Sequence, residues 1–189
     1  MPTDTHNTAL VVIDVQRGIL DDPHLERKEE TSKALDETVA RIAGLIARAR
    51  AASVPVIYVQ HDGGQGHRLE PNTAGWPLRP EIAPSPGEPV IHKRASDAFF
   101  QTTLEKELSA RGIRRLIIAG CMTQYCIDTT VRRAISLGYD VVLVADGHMT
   151  ADAGALRFEQ IIAHHNAVLD GFDAGEHEVS VRPASEIQL

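Results

Sequence analysis

Apolar and polar positions alternate along this chain in a pattern of strands and helices. The run Thr8-Ala9-Leu10-Val11-Val12-Ile13 is continuously apolar after its threonine, as in a strand buried on both faces. From Thr31 to Ala52, apolar residues recur at Leu35, Val39, Ile42, Ile46 and Ala47, which is one face of a helix. Strands follow at Val54–Val59, Val90–His92, Leu116–Ile118, Asp140–Asp146 and Glu178–Val181. Further helices are expected over Phe99–Ala110, from Cys126 to a glycine cap at Gly138, and over Ala155–Val168. Repeated βα units of this kind predict a parallel sheet covered by helices on both faces, with residues 1–189 as a single domain.

One stretch breaks the rhythm. His61 to Pro89 holds glycines, prolines and Trp76 without a helical or strand period. Long irregular links of this type serve as lids, binding loops or oligomer contacts. Trp76 reads equally as an anchor pinning the loop to the body and as a substrate contact.

Composition narrows the function classes. The chain has 189 residues, 43% of them hydrophobic, enough to bury a core. A formal net charge of -7 and the lack of Lys/Arg runs argue against nucleic acid or an anionic membrane as partner. The polar start Met1-Pro2-Thr3-Asp4-Thr5-His6-Asn7 lacks the features of a signal peptide, and no apolar run reaches spanning length, so the chain reads as cytoplasmic. In that compartment its two cysteines, Cys121 and Cys126, are expected to be free thiols.

The candidate chemistry lies at strand ends. Arg114 to Gly120 is a buried strand, Cys121-Met122-Thr123-Gln124-Tyr125 a tight turn, and Cys126 opens the next helical pattern. A thiol at a helix N-terminus is expected to have a lowered pKa, with backbone N–H groups nearby to hold an oxyanion. Asp14 ends the first strand and Lys93 the third. Charges there point to the rim where α/β proteins build their sites. Taken singly, each residue has a bland reading: a buried cysteine under a helix, a capping carboxylate, a solvated lysine.

Together these residues resemble a family. Val12-Ile13-Asp14-Val15-Gln16, His92-Lys93-Arg94-Ala95-Ser96-Asp97-Ala98-Phe99 and Gly120-Cys121-Met122-Thr123-Gln124-Tyr125-Cys126-Ile127-Asp128-Thr129-Thr130 are similar to motifs of the isochorismatase-like cysteine hydrolases. Nicotinamidase, N-carbamoylsarcosine amidohydrolase and streptothricin hydrolase belong to that superfamily. The resemblance covers nearly the whole chain. It implies a doubly wound three-layer α/β/α fold with a six-stranded parallel sheet in the order 3-2-1-4-5-6. Asp14 would then be the proton carrier, Lys93 the ammonium that favours thiolate, and Cys126 the nucleophile. The oxyanion hole would be the N–H groups of Met122 and Cys126, with a cis peptide between Cys121 and Met122.

Gln16, His61, Trp76 and Tyr125 are the substrate-contact candidates. The implied reaction is hydrolysis of the C–N bond of a small amide, carbamoyl compound or lactam through a thioester, in a homo-oligomer. Isochorismatase-type vinyl ether cleavage is one alternative, and a non-catalytic binding or scaffold protein that keeps the fold is another. Nicotinamidases carry an Asp-x-His cluster after the second strand. Here Gln60-His61-Asp62-Gly63-Gly64 is out of that register, and although His61, Asp62 and His67 could offer ligands, neither metal nor cofactor is expected.

Overall fold

The computed structural model describes residues 7–189. It contains a seven-stranded sheet built from β1 (Thr8–Ile13), β2 (Val56–His61), β3 (Val90–Lys93), β4 (Arg115–Cys121), β5 (Asp140–Met149), β6 (Asp173–Ala174) and β7 (His177–Arg182). The strand order is β3-β2-β1-β4-β5-β7-β6, parallel except for the terminal β6–β7 pair. The expected doubly wound order is therefore present, with the expected sixth strand as β7. The two-residue β6 is additional, and too short to leave a periodic signal in the sequence.

Alternation sorts the strand residues between two cores. Leu10, Val12, Tyr58, Ile117 and Val142 face α1 (Lys28–Ala51), whose Leu35, Val39, Ile42 and Ile46 are buried against them. Ala9, Val11, Ile13, Ile57 and Ile118 face the other way, toward α2 (Leu104–Ala110) and α3 (Asp128–Ser136). Phe158, at the start of α4 (Phe158–Leu169), joins the first core and Leu169, at its end, joins the second. Glu29 and Glu30 in the first turn of α1, with Arg48 and Arg50 in its last, oppose the helix dipole.

Several boundaries differ from the sequence expectation. Helix α2 starts at Leu104 rather than Phe99, because Gln101 takes a positive φ of 54° and the Thr102 hydroxyl bonds back to the Ala98 carbonyl at 2.6 Å. Strand β2 runs two residues further than expected, to His61. Strand β5 continues past Asp146 to Met149, regaining its register with β4 after an irregularity between Ile118 and Gly120. Helix α4 starts at Phe158, where the Asp152 carboxylate accepts the Phe158 N–H at 2.7 Å. Among the described residues no helix is long and apolar enough to cross a membrane.

The site rim depends on a close backbone approach. Gly120 has φ of +131°, and a Cβ there would lie 2.0 Å from the Ile13 carbonyl oxygen. Only glycine lets β4 lie this close to the end of β1. The next residue after Ile13 is Asp14, itself in the left-handed region at φ 52°, with its N–H bonded to the Val59 carbonyl at 2.8 Å.

Candidate active site

Strands β1 and β4 are neighbours although the chain visits β2 and β3 between them, so the connections diverge at their C-terminal ends and leave a crevice. Asp14 follows β1, Lys93 ends β3, and Cys126 lies just past β4. Asp14 and Lys93 are almost wholly buried, and Cys126 is half-buried. The Lys93 Nζ is 2.7 Å from Asp14 Oδ2 and donates to Cys126 Sγ at 3.1 Å and to the Ala95 carbonyl at 2.8 Å. His61 Nδ1 is 3.4 Å from the same nitrogen. One ammonium thus ties a carboxylate to a thiol.

Burial governs the charges here. It pushes the Asp14 carboxyl above the ordinary carboxylate range, against the opposing pull of Lys93 and the thiol. Burial also works against the Lys93 charge, but Asp14 and the sulfur outweigh it and hold the ammonium more firmly than in water. The Cys126 thiol is pushed up to about 12, first by burial and then by the Asp14 charge. This corrects the expectation of a helix-lowered thiol. Cys126 does not open an α-helix: Thr123–Ile127 form a π-helical turn ahead of α3, and burial is the largest influence on its thiol. At pH 7 the Cys126 thiol is therefore neutral. Cys121 is fully buried, and its thiol is pushed up further by burial.

The turn carrying Cys126 rests on a buried polar chain with no signature in the sequence. The Asn166 Nδ2 donates to the Ala145 carbonyl at 3.0 Å, so its Oδ1 accepts from His148 Nε2 at 2.8 Å. The His148 Nδ1 is then left to accept the Thr123 hydroxyl at 2.9 Å. Burial lowers the pKa of His148 to about 4, so the ring is neutral at pH 7. The peptide between Cys121 and Met122 is cis, and the Met122 carbonyl accepts the N–H groups of both Tyr125 and Ile127.

A cavity of about 160 Å³ opens over the sulfur, lined by Asp14, Cys126, Met122, Tyr125, Ser96, Ile19, His61, His67, Arg68 and Leu69. This is well below the roughly 300–1,000 Å³ of pockets that enclose drug-sized ligands, and the cavity is open to solvent on one side. Of the substrate-contact candidates, His61 and Tyr125 line it. Gln16 and Trp76 do not. The buried Gln16 amide donates to the carbonyls of His61 (3.0 Å) and Trp76 (2.7 Å) and accepts the His61 N–H (2.9 Å), clipping the long loop to the strand ends. Trp76 stacks on His92 and donates its indole N–H to Asp62 at 2.8 Å, as an anchor would. Sequence reasoning missed Arg68 and Ser96, which lie in segments without periodicity. Burial and the Lys93 charge lower the pKa of His61 to about 4, leaving the ring neutral. Among the described residues no group of three His, Cys, Asp or Glu side chains is placed to hold a metal ion.

A doubly wound sheet with a carboxylate, an ammonium and a thiol at its switch point defines an α/β protein with a polar crevice at its strand ends. The chain belongs to the isochorismatase domain family, which matches residues 8–169. It is 38% identical over 147 residues to a streptothricin hydrolase of Streptomyces noursei, a match covering 78% of this chain and 51% of that protein. It is 31% identical to the ureidoacrylate amidohydrolase RutB of Stutzerimonas stutzeri, covering 84% and 75% of the two chains. The crystal structure of an isochorismatase from Pseudomonas putida superposes with a TM-score of 0.85 at 32% identity, covering 100% of this chain and 93% of that one. The chain spans about half the length of the streptothricin hydrolases it matches.

Proposed function

We propose that this protein is a cysteine hydrolase that cleaves the C–N bond of a small amide, carbamoyl compound or lactam through a thioester. The observation that carries the reading is Lys93 Nζ standing 2.7 Å from Asp14 and 3.1 Å from the Cys126 sulfur, with Asp14 and Cys126 lining a small cavity. The name of the ureidoacrylate amidohydrolase relative supports the same class of bond, and that of the streptothricin hydrolase supports hydrolysis.

In this mechanism Asp14, made more basic by burial, takes the thiol proton as the substrate carbonyl approaches. Lys93 pairs with the thiolate so formed. The sulfur attacks the carbonyl carbon, and the N–H groups of Met122 and Cys126 hold the oxyanion. Collapse breaks the C–N bond while Asp14 returns its proton to the departing nitrogen. Asp14 then deprotonates a water that hydrolyses the thioester, and the thiol is regained.

Intact-mass spectrometry after mixing with a panel of small amides tests this. An acyl adduct on Cys126, absent from Cys126→Ala, is the expected result. Continued hydrolysis by Cys126→Ala would overturn it.

A further inference from the structure

The loop after β2 brings positive charge to the cavity without neutralising it. Arg68 lines the cavity, yet among the described residues it forms no ion pair; its guanidinium rests 3.5 Å from the Met122 sulfur. The carboxylate on the cavity wall, Asp14, is held by Lys93. Nearby acids are engaged elsewhere: Asp62 by Trp76 and His92, and Glu70 by the Gly66 N–H at 2.7 Å.

The same loop fixes how its donors are presented. The His67 ring sits on Gly63, where a Cβ would fall 2.2 Å from Nδ1. That Nδ1 accepts the Leu69 N–H at 3.1 Å, which leaves the ring proton on Nε2 as a donor. The Arg68 carbonyl is packed against Gly18 and Gly75, where added Cβ atoms would stand 2.8 and 2.3 Å from it. Two consecutive residues with unspent donors are therefore held on a constrained backbone beside the sulfur's cavity. A guanidinium fork matches the two oxygens of a carboxylate and gains charge-assisted bonds from it.

We propose that Arg68 and His67 form a carboxylate-recognition subsite, so that the substrate is a small amide or carbamoyl compound bearing a carboxylate close to the scissile bond. This rests on the reading of Cys126 as the nucleophile. Arg68 and Cys126 line the same cavity, which places the carboxylate and the reacting carbonyl within one site.

The test compares alkylation of Cys126 by iodoacetate, which carries a carboxylate, with alkylation by neutral iodoacetamide, followed by peptide mass spectrometry on the intact protein. Relative to free cysteine, the iodoacetate-to-iodoacetamide rate ratio should be raised about tenfold, as for electrostatically steered encounters. Because Arg68 is exposed, Arg68→Met should fold normally. It should lower the ratio at least about fivefold while leaving the iodoacetamide rate within about twofold. Lys93 is common to both proteins, so the difference isolates Arg68. A ratio unchanged in Arg68→Met overturns the subsite and leaves the hydrolase reading standing. Slower labelling of Cys126 than of Cys121 by both reagents overturns the thiol reading and the subsite with it.

Discussion

Two buried polar clusters lie along the same sheet edge. Asp14, Lys93 and Cys126 combine a fixed ion pair with a thiol and open to a cavity, whereas Thr123, His148 and the partly buried Asn166 are neutral and bonded in one direction to a backbone carbonyl. In the second cluster Thr123, His148 and Asn166 donate in turn along one chain of bonds, which is how a protein makes buried polarity structural. In the first, the sulfur and the carboxylate keep capacity that the protein does not use. Unused capacity is thus concentrated in the first cluster, and the second holds the turn that carries the sulfur.

The largest expected effect lies in the first cluster. Cys126→Ala should abolish turnover with the fold intact. Asp14→Asn and Lys93→Met should each cost several orders of magnitude, of which general acid–base work supplies about 10²–10⁴. The Asp14→Asn/Lys93→Met double variant should turn over little more slowly than either single one, because groups acting as a unit are not additive. Near-normal turnover in one single variant would remove that residue from the mechanism.

Stability distinguishes the members of the same pair. Lys93→Met strands a buried carboxylate and should cost about 3–5 kcal/mol in urea unfolding, while the double variant should recover most of that loss. Equal destabilisation of the single and double variants would show that the Asp14–Lys93 pair is not coupled in the fold.

The second cluster predicts a pH effect. The His148 pKa is about 4 folded against 6.5 unfolded, so below pH 6.5 the unfolded state binds the extra proton. The contribution is complete above about pH 6.5 and is lost as pH falls to about 4, a change of about 3 kcal/mol. The difference in unfolding free energy between the parent and His148→Gln should shrink over that window. A constant difference would mean that His148 is not held neutral.

The smallest expected effect is none at all. Extended dialysis against a strong chelator should leave the hydrolysis rate unchanged, because Asp62 is committed to Trp76 and His92, and His67 Nδ1 to Leu69. A loss restored by zinc would overturn this.

Much of the fold could be read in advance from short-range patterns. β1 is apolar after Thr8 because both of its faces are covered, and α1 shows a helical stripe because one face is. Boundaries shifted where a single side chain or dihedral decided them, as at Gln101 for α2 and Asp152 for α4. Asp14, Lys93 and Cys126 stood out because a charge or thiol at the end of a buried run breaks the local pattern. Gln16 and Trp76 also stood out, but nothing local could show that the Gln16 amide would be spent on the His61 and Trp76 carbonyls.

The sequence by itself determined the βα succession, and it placed Asp14, Lys93 and Cys126 at or just past strand ends, because hydrophobic period and strand length are properties of adjacent residues. Only the tertiary structure decided the protonation of the site. Burial, which reverses the expected shift of the Cys126 thiol, depends on everything packed around the sulfur. It likewise decided that His148 would join Thr123, 25 residues away, to Asn166, 18 residues away, and that Arg68 would reach the cavity without a counter-charge. Such relations follow from which loops and strands meet in space, and no window along the chain contains them.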